Sequence, residues 1–228
     1  MRLICRIEVK NDWVVKGFQY EGVRKIKQLE ESFSIPRFNG IEEIFLVDLT
    51  RSIFGLPPNF LALERIAHNC LLPITFGGGI NTLEDALRAI ELGASKVYIN
   101  TAATGGSSLI SKISSVMGQQ AIVAGCEYRT VNNRRVCYSE SGREPLGETL
   151  SERIKEVINL GAGEVLVSSI DLDGTKKGLD LGVLDDLVQI EKPVILSSGG
   201  TSEDLKNRDN FTGCEGVCFS SVFIEYYD

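Results

Sequence analysis

The sequence predicts an α/β fold, a (β/α)8 TIM barrel, on two observations. Eight short runs are nearly continuous in apolar residues, which is typical of parallel strands buried on both faces. Segments with helical spacing lie between several of these runs, as the alternation of strands and helices in a barrel requires. The runs, in chain order, are LICRIEV, EEIFLVDL, LPITFGG, KVYIN, AIVAGCE, EVLVSSID, PVILSSGG and GVCFSSVF.

Two of the intervening segments carry clear helix signals. TLEDALRAIELG begins with an N-cap residue, Thr82, has acidic residues in its first turn and ends at Gly93. LGETLSERIKEVINLGAG has apolar residues at helical spacing and also ends in glycine. Elsewhere there is less room: Pro36 falls where the first helix would run, SEDLKNRDNFTGCEG is brief, and only IEYYD follows the last strand. We therefore expect short first, seventh and eighth outer helices.

The two halves of the chain resemble each other at an offset of about 120 residues. Because four strands align in order, we predict one barrel domain over residues 1–228, built from two half-barrels of about 1–118 and 119–228. The alternative is chance similarity between βα units. The matching pairs are EEIFLVDLTRS with GEVLVSSIDLDGT, LPITFGGGINTLEDA with KPVILSSGGTSEDL, KVYINTAA with GVCFSSVF, and CRIEVKN with AGCEYRT.

Composition limits the class of protein. The chain has 228 residues, of which 43% are hydrophobic and 24% charged, and this suits one large domain. A net charge of −7 argues against a nucleic-acid partner, although local basic phosphate sites remain compatible with it. No apolar run approaches the ~20 residues of a membrane span. The six cysteines are scattered, so we expect buried free thiols, a reducing cytoplasmic location, no metal site and no cofactor.

The strand ends carry the residues suited to phosphate binding. In such barrels the active site lies at the carboxyl ends of the strands. Glycines there let backbone N–H groups approach an anion, and neighbouring amides and hydroxyls add donors. We predict one phosphate site in each half, which suits a substrate with a phosphate at both ends; the alternative is that the glycines only permit tight turns. The candidates are Gly78, Gly79, Asn100 and Thr101, and then Gly174, Gly199, Gly200, Ser220 and Ser221.

Two carboxylates lie between these sites, at matching positions of the two halves. Glu8 ends the first strand and Glu127 the fifth. Paired carboxylates can divide the general acid and general base roles when their environments separate their pKa values. We predict a catalytic pair, against the alternative of two ordinary polar strand ends. No serine–histidine arrangement competes, because His68, the only histidine, lies in the helical stretch ALERIAHNC and is expected at the surface or in packing.

Four charged residues mark the opposite end of the barrel. Arg2, Glu43, Lys96 and Glu164 lie at or just before the amino ends of strands one, two, four and six. Some of these side chains could converge at the barrel bottom, where burying a charge without a partner would cost roughly several kcal/mol of stability. A stabilising ion cluster and four unrelated rim charges both remain possible readings at this point.

Six segments carry a resemblance to a known family: VVKG, FLVDLT, FGGGI, KVYINTAA, GAGEVLVSSIDLDGTKKGLD and SSGG. Together they resemble the cyclase subunit of imidazole glycerol phosphate synthase. The resemblance covers nearly the whole chain up to Phe223, and SIDLDGTKKGLD is its most distinctive part. The related phosphoribosyl isomerase is a weaker match because its strand-six sequence differs.

The resemblance implies a barrel of two half-barrels with two phosphate sites and a glutaminase subunit docked at its bottom as a heterodimer. Ammonia released by the glutaminase would pass through the barrel core to a phosphorylated small-molecule substrate at the top. Four charged residues gate that entrance in the family, and Arg2, Glu43, Lys96 and Glu164 match them all. Substrate-side positions of the family are matched by Lys16, Asp48, Asp171 and Asp173.

The departures from the family bear on the reaction. Its acid and base are aspartates, whereas Glu8 and Glu127 place the charge one methylene further out, and a shift of about 1 Å can cost on the order of 100-fold in rate. Ser95 also stands where an acidic residue is expected before the gate lysine. With these changes the chain resembles paralogues of the cyclase that are found among surface-polysaccharide genes.

We therefore predict an ammonia-dependent synthase subunit of a glutamine amidotransferase. Its substrate would be a phosphorylated sugar or nucleotide sugar, and its reaction the amidination of a surface sugar. One alternative is the genuine cyclase subunit of histidine biosynthesis, a lyase. Another is a non-catalytic scaffold that activates a glutaminase.

Overall fold

The apolar runs form the strands of a closed barrel in a computed structural model, which describes residues 1–32, 40–207 and 211–224. Eight strands pair in parallel, and the last pairs with the first, so the barrel closes. The predicted α/β barrel is confirmed. The strands of the described ranges are β1 (Arg2–Lys10), β2 (Trp13–Phe18), β3 (Glu21–Gln28), β4 (Glu43–Asp48), β5 (Ile74–Gly77), β6 (Lys96–Ile99), β7 (Ile122–Val131), β8 (Arg134–Ser139), β9 (Glu144–Thr149), β10 (Glu164–Ser169), β11 (Val194–Ser197) and β12 (Gly216–Phe219).

Two antiparallel hairpins stand above the barrel, and they were not predicted. β1 continues into β2 and β3, while β7 continues into β8 and β9. Their first turns contain Asn11 and the pair Asn132–Asn133, all at positive φ, which asparagine tolerates better than most residues. The segment FQYEGVRKIKQLEESFSIP contains strand β3. Both hairpins lie at the carboxyl ends of the barrel strands.

Helices occupy the spaces between barrel strands, and capping boxes at Thr82, Thr149 and Thr201 begin three of them. The short seventh and eighth helices are confirmed, with five residues in α6 and four in α7. The first interval has a 3-10 turn over Leu29–Ser32, and Pro36 lies outside the described residues. The described helices are α1 (Phe60–Asn69), α2 (Leu83–Glu91), α3 (Leu109–Met117), α4 (Leu150–Asn159), α5 (Leu184–Leu187), α6 (Ser202–Lys206) and α7 (Ser221–Ile224).

The barrel has separate cores outside and inside the sheet. Alternate residues of a strand face opposite sides, so Cys5 and Ile7 pack outward against the helices while Ile4 points inward. Inside, Ile4, Phe45 and Leu166 belong to a compact apolar layer that divides the bottom of the barrel from the top. Burial at these strands accounts for the continuous apolar runs from which the fold was predicted.

Side chains outside the core also bear on the predictions. Cys5, Cys126, Cys137 and Cys218 are buried free thiols, which confirms that expectation for them. His68 is exposed in the last turn of α1, as expected for a surface residue. Among the helices of the described ranges, none has the length and apolarity that crossing a membrane would take.

Candidate active site

A cavity of ≈ 300 Å³ opens at the carboxyl ends of the barrel strands. A smaller pocket of ≈ 20 Å³ adjoins it. Arg6, Glu8 and Asp173 line both spaces, so they form the boundary between them. The two recesses are therefore neighbours across a strip of charged side chains.

The residues predicted for the first phosphate site lie together in the larger cavity. Gly78, Gly79, Asn100 and Thr101 all line it. Gly78 adopts a φ of +94°, and a Cβ atom there would collide with the carbonyl oxygen of Asp48. The glycine is thus required by the turn itself, and the same turn exposes backbone to the cavity.

The residues predicted for the second phosphate site lie together in the smaller pocket. Gly174, Gly199, Gly200, Ser220 and Ser221 line this space. The Ser220 hydroxyl donates to the backbone carbonyl of Arg6 at 2.8 Å, which ties strand β12 to strand β1.

Ser198 belongs to this second pocket but was not predicted as a site residue. It adopts a φ of +81°, unusual for a residue with a side chain, and its buried hydroxyl has no hydrogen-bond partner among the described residues. Such strain costs of order 1–3 kcal/mol and concentrates at ligand sites. The matching position of the first half is Gly78, so the repeat could have drawn attention to Ser198.

Glu8 is held by two cations. The Lys16 ammonium donates to Oε2 at 2.9 Å, and Arg6 Nε lies 2.9 Å from Oε1 without the alignment of a hydrogen bond. All three side chains are buried. Burial acts to raise the pKa of Glu8, but Lys16 and Arg6 together bring it below the ordinary value.

Glu127 has a different environment. The Tyr98 hydroxyl donates to its Oε1 at 3.3 Å, while its Oε2 is buried without a hydrogen-bond partner in the described chain. Burial raises the pKa of Glu127 to about 7, although Arg6 and the Tyr98 and Tyr20 hydroxyls act to lower it. At neutral pH this carboxyl is near its midpoint, whereas Glu8 is ionised.

Asp173 joins the pair from the segment after β10. Burial, followed by the charge of Glu8, raises its pKa to about 6. It lines both recesses with Glu8, and the smaller one with Lys16 as well. Three carboxyl groups with different proton affinities thus meet in one site, an arrangement that suits general acid–base chemistry.

Asp48 and Asp171 are occupied by other parts of the chain. Asp48 lines the cavity, but its oxygens accept hydrogen bonds from Thr50, Asn59 and the backbone of Asn11. Asp171 is not among the side chains that line either recess, and it accepts from the backbone N–H of Thr130 at 2.8 Å. Both therefore fix loops around the site in this structure.

At the barrel bottom the four charged residues meet in an alternating ring. Arg2 contacts Glu43 at 2.8 Å and Glu164 at 2.6 Å. Lys96 contacts Glu43 at 3.2 Å and Glu164 at 2.8 Å. The Thr75 hydroxyl also donates to Glu43 at 2.6 Å. This geometry excludes four unrelated rim charges.

Sequence reasoning missed Arg6, Tyr20 and Tyr98, which line the larger cavity with the predicted residues. Arg6 had a usable signal, because a charge inside the apolar run LICRIEV is seldom buried without a partner. Tyr98 in KVYIN was an apolar strand residue with a polar end. Tyr20 enters from the turn of the β2–β3 hairpin, which was not predicted.

The chain is similar to known proteins along its whole length. The family described as histidine biosynthesis protein matches residues 2–227. Imidazole glycerol phosphate synthase subunit HisF of Legionella pneumophila is 35% identical over 88% of this chain and 95% of the relative. The proteins of that name from Exiguobacterium sibiricum and Pyrococcus furiosus are 35% and 34% identical, covering 98% and 97% of this chain and 90% and 89% of theirs.

These relatives confirm the resemblance that the motifs indicated. The match covers the barrel strands, both recesses and the charged ring. This chain therefore belongs to the histidine biosynthesis protein family.

Proposed function

We propose that this chain is an ammonia-using cyclase subunit of the imidazole glycerol phosphate synthase type. The observation that carries the proposal is the pair Glu8 and Glu127, which differ in charge and both line the larger cavity, with Glu8 also lining the smaller pocket. The relatives support the reaction class through their name, imidazole glycerol phosphate synthase subunit. Ring closure with ammonia requires a group that accepts protons and a group that donates them.

The proton roles follow from the two environments. Glu8, ionised beside Lys16 and Arg6, is the acceptor. Glu127, half-protonated at neutral pH and hydrogen-bonded to Tyr98, is the donor. A pKa near the working pH is the most effective value for general acid catalysis.

The two recesses would hold the two ends of the substrate. Backbone N–H groups at Gly78 and Gly79 would face one phosphate, with Asn100 and Thr101 beside it. Gly199, Gly200, Ser220 and Ser221 would face the other, where Lys16 adds positive charge. A substrate anchored at both ends would lie across the carboxylate pair, which suits a bisphosphate.

A glutaminase partner is proposed at the barrel bottom. The ring of Arg2, Glu43, Lys96 and Glu164 would form the entrance for its ammonia. Above the ring, neutral ammonia could pass an apolar interior that excludes charged ions. Asp48 and Asp171 would act by shaping the loops, since both carboxylates already have protein partners.

The comparisons favour histidine biosynthesis over the predicted surface-sugar amidination, which they do not support. The family description names histidine biosynthesis, and the relatives carry the synthase name. In this proposal, therefore, Glu8 and Glu127 serve the cyclase reaction in place of the family's aspartates. The charge division between Glu8 and Glu127 also favours a catalytic barrel over a scaffold.

The test is ammonium-supported turnover by the purified chain. It would be given ammonium chloride and the bisphosphorylated intermediate of the pathway, and release of aminoimidazole carboxamide ribotide would be measured. We expect E8Q and E127Q each to lower kcat by about 100-fold or more. The matched control is H68N, which changes an exposed residue of α1 and should keep full activity.

Two outcomes would contradict the proposal. Absence of turnover by the intact, folded chain would reject the cyclase reaction and return the sugar substrate to consideration. Equal turnover by wild type, E8Q and E127Q would reject the carboxylate pair as the acid and base. A binding measurement with the intermediate would then show whether the chain serves only as a scaffold.

A further inference from the structure

Arg6 occupies the interior of the barrel directly beneath the active site. Ile4, Arg6 and Glu8 alternate along β1 and so share its inner face. The Arg6 side chain is 4% exposed, its guanidinium lies 5.6 Å from the centre of the Phe45 ring, and it donates to the Ser197 hydroxyl at 3.3 Å. A buried guanidinium is costly unless paired, and its partner here is Glu8.

At the position of β7 that matches Arg6, the residue is glycine instead of arginine. Two residues before Glu127 on the inner face of β7 stands Gly125, where an added Cβ would collide with the Tyr98 hydroxyl. The hairpins differ in the same way. In the first, Val9 pairs with Val14, and Lys16 stands two residues further along β2. In the second, Tyr128 pairs with Cys137, and Ser139 stands two residues further along β8. Glu8 therefore has two cations in contact, and Glu127 has hydroxyl neighbours.

We propose that Arg6 is a positioning residue that keeps Glu8 the ionised member of the carboxylate pair and leaves Glu127 as the proton donor. The inference rests on the proposed function for the catalytic meaning of these roles. The division of charge itself depends on the placement of the cations Arg6 and Lys16 beside Glu8. Arg6, inside the barrel, thus adds to Lys16 in giving two similar strand ends different proton affinities.

The groups whose charge acts on the pair come from several elements, and four further charged residues line the same recesses: Lys10, Asp48, Arg143 and Lys176. Arg6 and Glu8 lie on β1, Lys16 on β2, Tyr98 on β6 and Glu127 on β7. Tyr20 faces the site from the β2–β3 turn, Asp173 from the segment after β10, and Cys218 from β12. The lowered pKa of Glu8 and the raised pKa of Glu127 agree with this arrangement.

The test is a carboxyl titration of the substrate-free chain by carbon-13 NMR with labelled glutamate. E8Q and E127Q assign the two signals. In R6M we expect the Glu8 midpoint to rise by about 1–3 pH units, since an adjacent opposite charge lowers a carboxyl pKa by that amount. The Glu127 midpoint should rise less, and R6K should restore a low Glu8 midpoint. An unchanged Glu8 midpoint, or equal shifts at both carboxyls, would overturn the proposal.

E8Q gives a second test in case R6M does not fold. With Glu8 neutral, the Arg6 charge is no longer balanced by its partner, so the Glu127 midpoint should fall relative to wild type. A Glu127 midpoint that stays or rises in E8Q would equally overturn the proposal. Because no substrate is present, a failure of the cyclase assay would reject the proposed function and leave this result intact.

Discussion

At the residue scale, Glu127 connects stability with the chemistry of the site. Burial raises its pKa to about 7, against an ordinary value of 4.5. Its Oε2 atom has no hydrogen-bond partner among the described residues, so the ionised form is poorly stabilised. The protonated form of this carboxyl is therefore favoured, as a proton donor at neutral pH requires.

This environment predicts a pH dependence of stability. The folded chain keeps the Glu127 proton up to about pH 7, while the unfolded chain loses it near 4.5, so the free energy of unfolding falls between these values. E127Q, which cannot ionise, should lack this part of the fall, on the order of 2–3 kcal/mol. Urea unfolding of both proteins at about pH 5 and about pH 8 measures it. Parallel losses in wild type and E127Q would contradict the prediction.

At the element scale, the β2–β3 hairpin is fastened to the loop that follows β10. The Gln19 backbone N–H donates to the Asp173 carbonyl at 2.9 Å, and its side chain donates to the Asp171 carbonyl at 2.7 Å. Gly174 lies against this contact, because a Cβ there would collide with the Gly17 carbonyl oxygen. The hairpin thereby brings Lys16 and Tyr20 to the site.

Gly174 and Gly147 form a matched pair for testing this contact. Both adopt left-handed φ values, +69° and +75°, but an added Cβ at Gly147 meets nothing within 4 Å. G147A should cost about 1–2 kcal/mol from backbone strain alone. G174A should cost clearly more in urea unfolding, because it must also separate the hairpin from the loop. Equal costs would show that the close approach is unimportant.

At the scale of the whole molecule, charge is concentrated at the two ends of the barrel axis. The bottom ring has two cations and two carboxylates, and Glu43 is 2% exposed. The apolar layer around Ile4 and Phe45 separates it from the site. Each carboxylate of the ring has two cationic partners, so the ring shares its desolvation cost over four contacts.

Removing one cation from the ring should therefore destabilise the whole barrel. K96M leaves Glu43 and Glu164 with Arg2 alone, and we expect a loss of about 1–3 kcal/mol in the free energy of unfolding. K112M on the exposed face of α3 is the control and should change little, within about 0.5 kcal/mol. Urea unfolding at neutral pH measures both. A K96M variant as stable as K112M would mean that the ring contributes no net stability.

How well each structural feature could be predicted depended on how the sequence encodes it. Barrel strands were predictable because burial on both faces makes them continuously apolar, and the ring because its residues begin those strands. The hairpins were harder: β3 is exposed over most of its length and has no apolar alternation. The turn Asn132–Asn133 was a usable hairpin signal. The contacts of Arg6 with Phe45 and Ser197 join residues distant in sequence, which no local pattern reveals, and so does the contact of Asp171 with Thr130.

The collision that a side chain at Gly125 would meet has a consequence for any attempt to make the barrel symmetric. Inside the barrel, the Tyr98 side chain already occupies the space beside Gly125. A second arginine, at position 125, would have no space there. Under the proposed function, the strand that carries the interior arginine therefore holds the proton acceptor, and the strand with glycine at the matching position holds the donor.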